Sequence, residues 1–220
     1  MDAQQVMRHR RITTISTYLR PRIARPWLSP PTSSTPCDSP VAAVGNLSHV
    51  IDEAGTWHRL AALLPREDAL QVMDAWNIGE QEGGLNQLVS LLVRQQVVIG
   101  ETTRAELAVS AEAWGLWPSP LGPGIFQCTG DGCDSPLRLV EHDDDAPMTG
   151  AWVGLAPELL LVPWIACTES GHVLARAHTR ETWGDLSFLP ELYVILDPGR
   201  STAIHLFPPG AGWDALSALR

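Results

Sequence analysis

Lysine is absent from this chain of 220 residues; all fifteen basic residues are arginine. That excludes Schiff-base lysines, the lysine of a phosphate-binding P-loop and a lysine general base. Long apolar runs are missing too. Leu159-Leu160-Leu161-Val162 has the length of a strand and stops at Pro163, so nothing approaches the roughly 18 residues of a membrane-crossing helix. Cysteine occurs only four times, too sparsely for a disulfide scaffold at this length. Gly-x-Ser-x-Gly, Gly-x-Gly-x-x-Gly and His-Glu-x-x-His do not occur, which removes the common signatures of hydrolases, dinucleotide enzymes and zinc proteases.

What the chain does have is hydrophobic content and acid. Its 45% hydrophobic residues suffice for one sizeable core or two small ones. The formal charge of −10 is unevenly spread. Six of the fifteen arginines lie in residues 1–25, opposed only by Asp2. From Asn46 to Arg220, 23 acidic residues face nine arginines, a net of −14. An acidic body repels nucleic-acid phosphates and draws in a basic protein partner.

Residues 1–45 differ from the rest, being rich in Arg, Ser, Thr and Pro. Such a composition predicts a disordered tail. An overextended start, with Val44 as an alternative initiation codon, is a second reading. An arginine-rich transit peptide is a third. Residues 1–25 lack the apolar region and cleavage site of a secretory signal, so the chain reads as cytoplasmic with reduced thiols.

Residues 46–115 predict a helical bundle. Ser48 caps a segment with Val50, Ile51, Ala54, Trp57 and Ala61 at helical spacing. Pro65 suits a first turn, followed by Glu67 and Asp68, with Leu70, Met73 and Trp76 as the buried stripe. Gly83-Gly84 punctuates the chain, and Leu85, Leu88, Val89 and Leu92 resume the period. Thr102 or Thr103 caps a last helix that stops at Gly115. Residues 116–124, with three prolines, read as a linker or rigid crossover. Residues 125–220 predict an antiparallel sheet with a short C-terminal helix, Trp213–Leu219. The strands are Ile125–Cys128, Leu137–His142, Leu159–Cys167, Val173–Thr179, Leu192–Leu196 and Ala203–Phe207. Asp143-Asp144-Asp145 and Asp197-Pro-Gly-Arg are among the turns joining them. The fold class is α+β: a helical bundle followed by an antiparallel meander, behind a disordered N-terminal tail.

Two knuckles hold the metal-like chemistry. Cys128-Thr-Gly-Asp-Gly-Cys133 and Cys167-Thr-Glu-Ser-Gly-His172 each flank a four-residue turn. If both are hairpins, Cys128 meets Cys133 and Cys167 meets His172, giving the Cys₃His set of a tetrahedral Zn²⁺ site. The alternative is that these cysteines act as small hydrophobes in strands. The pair resembles a divergent zinc ribbon. Ribbons use Cys-x-x-Cys, whereas Ser170 stands where the second knuckle would need its thiol.

Other candidates are electrostatic and aromatic. Glu80 and Glu82, flanked by Gly79 and Gly83, are a carboxylate pair, read as a solvated helix face or, alternatively, as part of a carboxylate-lined groove with Glu101, Glu106 and Glu112. His172, Arg176, His178 and Arg180 share strand parity, as a solvated sheet face or one directed at a partner. Among nine tryptophans, Trp183 and Trp213 sit in polar, turn-like surroundings where an indole anchors a partner.

The stretch from Gly79 to Gly115, GEQEGGLNQLVSLLVRQQVVIGETTRAELAVSAEAWG, resembles helix pairs of small actinobacterial proteins, some of the toxin-immunity type. The resemblance implies an acidic, cytoplasmic, non-catalytic binder and transfers no functional residue. The leading expectation is therefore a non-enzymatic protein-binding module without a cofactor. It would use Trp183, Trp213, Glu80 and Glu82 against a basic partner, with no nucleic-acid or membrane ligand. A structural zinc protein and a carboxylate-dependent hydrolase are the alternatives.

Overall fold

A computed structural model of the chain describes residues 53–117, 119–140, 148 and 152–220. The segment 1–45, Cys37, the Ser48 cap with Val50 and Ile51, and the Asp143-Asp144-Asp145 turn lie outside the described residues. Helices come first and strands follow, so the chain is an α+β protein.

The first three helices are α1 (Glu53–Ala61), α2 (Arg66–Asn77) and α3 (Gln81–Arg94). Pro65 stands just ahead of α2, and Glu67 and Asp68 in its first turn complement the positive helix start. The buried side of α2 is Val72 and Met73, while Leu70 of the expected stripe is exposed. Trp76 is half-buried and tilts onto Trp57 of α1, with ring centroids 5.0 Å apart. Met73 and Trp76 thus keep the expected stripe, and Leu70 departs from it. Gly83-Gly84 does not break the chain either; both lie inside α3. Gly84 is there for close approach, since a Cβ at this position would meet the Ala75 Cβ at 3.1 Å and the Trp57 ring at 3.3 Å.

A two-residue strand, β1 (Val98–Ile99), precedes α4 (Glu101–Ala113). Gly100, not Thr102 or Thr103, is the residue before α4, and no side chain caps it. Thr102 instead shares a 2.7 Å hydrogen bond with Ser135. From Ala105 to Glu112 every residue of α4 is buried. The helix ends at Gly115, whose φ of +67° is the left-handed terminator the sequence suggested.

Ile125–Cys128 is not a strand. It is the end of α5 (Gly122–Gln127), with Cys128 as the residue that closes the helix. Pro123 stands in the first turn, where a missing N–H costs nothing, and Ile125 plugs the core. A short apolar run does not by itself separate strand from buried helix. Thr129–Gly130 forms β2, paired in parallel with β1.

The main sheet is a five-stranded antiparallel meander of β3 (Leu137–Leu139), β4 (Leu160–Cys167), β5 (Val173–His178), β6 (Leu192–Asp197) and β7 (Thr202–Phe207), in that spatial order. Pro163 falls at a register shift in β4, where a ladder tolerates proline. The final helix, α6, spans Gly212–Leu219. One face of the sheet merges with the helices in a single core containing Leu88, Leu107, Ile125, Trp164, Leu174, Ile195 and Leu216. On the other face Leu161, Ala175, Ala177, Val194 and Leu196 form a smaller cluster beneath Trp152, Leu155 and Leu159.

Candidate functional site

The second knuckle is the β4–β5 hairpin. The Cys167 amide donates to the His172 carbonyl (2.9 Å), and Gly171, at φ +72°, donates back to the Cys167 carbonyl (3.0 Å). Ser170 Oγ accepts from the His172 amide at 3.2 Å. Burial pushes the Cys167 thiol up; hydrogen bonds from the Ser170 hydroxyl and from the Ser170 and Glu169 amides outweigh it, so the thiol sits below its ordinary range.

The first knuckle is not a hairpin. Its Thr129 and Gly130 pair with β1 instead. Asp131 donates its amide to the Ile99 carbonyl (3.1 Å), and its carboxylate accepts the Cys133 amide (3.0 Å). This local turn carries Cys133 outward, exposed, while Cys128 is buried. The Cys128 thiol contacts the Gly124 carbonyl at 3.5 Å, and its own carbonyl accepts from Arg104. Burial raises the Cys128 thiol against the opposing Arg104 charge. Among the described residues, no three His, Cys, Asp or Glu side chains are grouped to hold a metal ion.

Glu80 and Glu82 are both exposed, the first just ahead of α3 and the second in its first turn. Trp213, in the first turn of α6, is half-buried against the core. Glu106 and Glu112, by contrast, are buried on α4. Glu106 accepts from Arg59 Nη1 at 2.5 Å and from Arg220 Nη2 at 2.7 Å, tying α1 and the residue after α6 to α4.

Arg176 and His178 overturn the reading of a solvated sheet face. Both are buried, because that face of β5 is the one covered by helices. Arg176 pairs with Glu112 at 3.6 Å. Its guanidinium carbon lies 5.9 Å from the Trp117 ring centroid and 5.8 Å from that of Trp164. Tyr193, opposite Arg176 on β6, points its hydroxyl at Glu112 (3.4 Å) and stacks on Trp164. Burial pushes the Glu112 carboxyl up, more than Arg176 and the hydrogen bonds from Tyr193 and Arg176 hold it down. Burial, with the nearby Glu112 charge, also raises Tyr193. The signal missed in the sequence was the pairing of parity with neighbours: Ala175 and Ala177 alternate with Arg176 and His178, so both faces are covered, and the polar pair is buried where Arg176 meets Glu112 of α4 and His178 meets Ser187.

The β5–β6 connection, residues 179–191, presents the largest exposed side chains near one another in sequence. Trp183 is 71% exposed, Phe188 77% and Leu189 56%. The backbone beneath them is tightly held. Ser187 donates its amide to the Thr179 carbonyl (2.8 Å), and its hydroxyl donates to the Leu189 carbonyl (2.9 Å) and accepts from the Thr179 amide (3.3 Å). Buried His178 donates Nδ1–H to the Ser187 carbonyl at 2.8 Å. Nearer the tip, Glu181 donates its amide to the Asp185 carbonyl (2.8 Å), Gly184 to the Glu181 carbonyl (2.9 Å), and Arg180 Nη1 to the Gly184 carbonyl (2.6 Å). The hairpin is thus a fixed platform for aromatic side chains, of which the sequence reading singled out Trp183 alone.

Among the described residues, no helix is long and apolar enough to cross a membrane. Comparisons with protein-family models, with curated proteins and with solved structures found no match.

Proposed function

We propose that the chain is a cytoplasmic, non-enzymatic protein-binding module of the immunity type, which engages a basic protein partner. One observation carries the reading: Trp183, Phe188 and Leu189 stand exposed on a hairpin whose backbone is already hydrogen-bonded. Large exposed apolar residues on a fixed support are the anchors of protein interfaces, and a pre-formed loop avoids the ordering cost of binding. The net charge of −14 from Asn46 to Arg220 supports a basic partner and a salt-sensitive association rate.

The test is affinity capture from the native host with the wild-type chain and with the double variant Trp183→Ala, Phe188→Ala, at low and high salt. A basic protein retained by the wild type, released by salt and lost with the variant is the expected result. Identical, salt-insensitive recovery by both chains overturns the proposal.

A further inference from the structure

The tip of the β5–β6 hairpin has the chemistry to recognise one kind of side chain. Trp183 stands exposed in the turn closed by the backbone bond between Glu181 and Asp185, with one acidic residue two positions before it and one two positions after. Gly184, beside it at φ +103°, has open space where a Cβ would stand. The only cation in residues 179–191 is Arg180, held back against the Gly184 carbonyl, and it is outnumbered by Glu181, Asp185 and Glu191. Glu191 accepts from Thr179 at the base of the hairpin (3.4 Å), which leaves Glu181 and Asp185 to act at the tip.

We propose that this turn seats an arginine side chain of the basic partner, its guanidinium plane against the Trp183 indole and its N–H groups on the Glu181 and Asp185 carboxylates, with Phe188 and Leu189 as the apolar flank. The inference rests on the protein-binding reading above and specifies its contact. Arginine fits better than lysine because a planar, weakly hydrated guanidinium stacks on an aromatic face while its edge still donates to carboxylates. The body of a second copy, at −14 from Asn46 to Arg220, is a poorer occupant; its arginine-rich residues 1–25 would fit, and the dependence on protein concentration below reads that case.

The experiment uses the full chain labelled with 5-fluorotryptophan, with the Trp183 fluorine resonance assigned by its loss in Trp183→Phe. Three short peptides are titrated: Arg-Gly-Arg-Gly-Arg, its lysine counterpart and its citrulline counterpart. The Trp183 resonance should move with the arginine peptide, less with lysine and not with citrulline, and the shift should collapse in about 0.5 M salt. By isothermal titration calorimetry, which needs no indole at position 183, Trp183→Leu should weaken the arginine peptide about two- to fivefold, and E181Q with D185N should weaken it further. If other indole resonances move and that of Trp183 stays, the seat is overturned while the acidic-binder reading stands. If no basic peptide moves any resonance, both fall. An equal response to citrulline, or broadening of Trp183 with protein concentration alone, also overturns the seat, the latter in favour of self-association.

Discussion

Glu112 of α4 and Arg176 of β5 face each other at 3.6 Å across the junction of helices and sheet, only 6% and 5% exposed. Two indoles flank the cation, and Tyr193 shares the anion. Removing one partner of such a pair is costly because the other charge stays buried. Arg176→Met should therefore lower stability by about 3–5 kcal/mol in urea titration. Glu112→Gln should cost less, since a neutral amide still accepts from Arg176 and Tyr193. The double variant should be more stable than the sum of the two losses implies, as expected of groups in contact.

The same site gives a pH dependence of definite sign. Burial holds the Glu112 carboxyl above its ordinary range in the folded chain. The folded state then binds this proton more tightly than the unfolded state, so stability falls as pH rises from about 4.3 towards the folded value. Glu112→Gln lacks that loss. Urea midpoints of the two chains between about pH 4 and 8 should diverge in favour of the glutamine variant as pH rises, then run parallel. Divergence in the opposite direction would contradict the burial of this carboxyl.

Adjacent glycines of α3 should respond oppositely to alanine. Gly83 has open space at its Cβ position, so Gly83→Ala should stabilise by about 0.5–1 kcal/mol through helix propensity. Gly84→Ala presses on Ala75 and Trp57 and should destabilise by about 1–3 kcal/mol as an overpacked site. Thermal melts of the two variants decide it.

Glu106 is held by two arginines, each about half exposed. Either Arg59→Ala or Arg220→Ala alone should cost less than about 1 kcal/mol, because the other arginine remains. Removing both leaves a buried carboxylate without a cation, and the loss should exceed the sum of the single changes, reaching about 3 kcal/mol. A strictly additive result in denaturant titration would show that solvent, not the arginines, compensates Glu106.

The meander was legible because Leu160–Cys167, Val173–His178, Leu192–Asp197 and Thr202–Phe207 are apolar stretches separated by Gly, Pro and Asp turns, a local code. What escaped was decided by tertiary contact. Gly84 looks like a breaker until Trp57 and Ala75 press against it. Ile125 looks like a strand until its neighbours bury it from several sides. Arg176 and His178 look solvated until helices cover their face. At the candidate site, the polar surroundings of Trp183 mark it in the sequence, but nothing local singles out Phe188 and Leu189 or shows that Ser187 staples the loop that exposes them. The first knuckle failed for a related reason: matching loop lengths say nothing about which strand, here β1, claims the segment.

The two indoles that flank Arg176 also lie close to one another, in a part of the molecule separate from the Trp57–Trp76 contact. Trp57 and Trp76 meet within the first helices, while Trp117 and Trp164, 6.3 Å apart at their centroids, lie where α4 and the sheet adjoin. Coupled chromophores at such spacing give near-ultraviolet circular dichroism signals of their own. The chain thus carries one optical reporter for its helices and another for their seam with the sheet, so a partner that loosens either one would be seen without any added label.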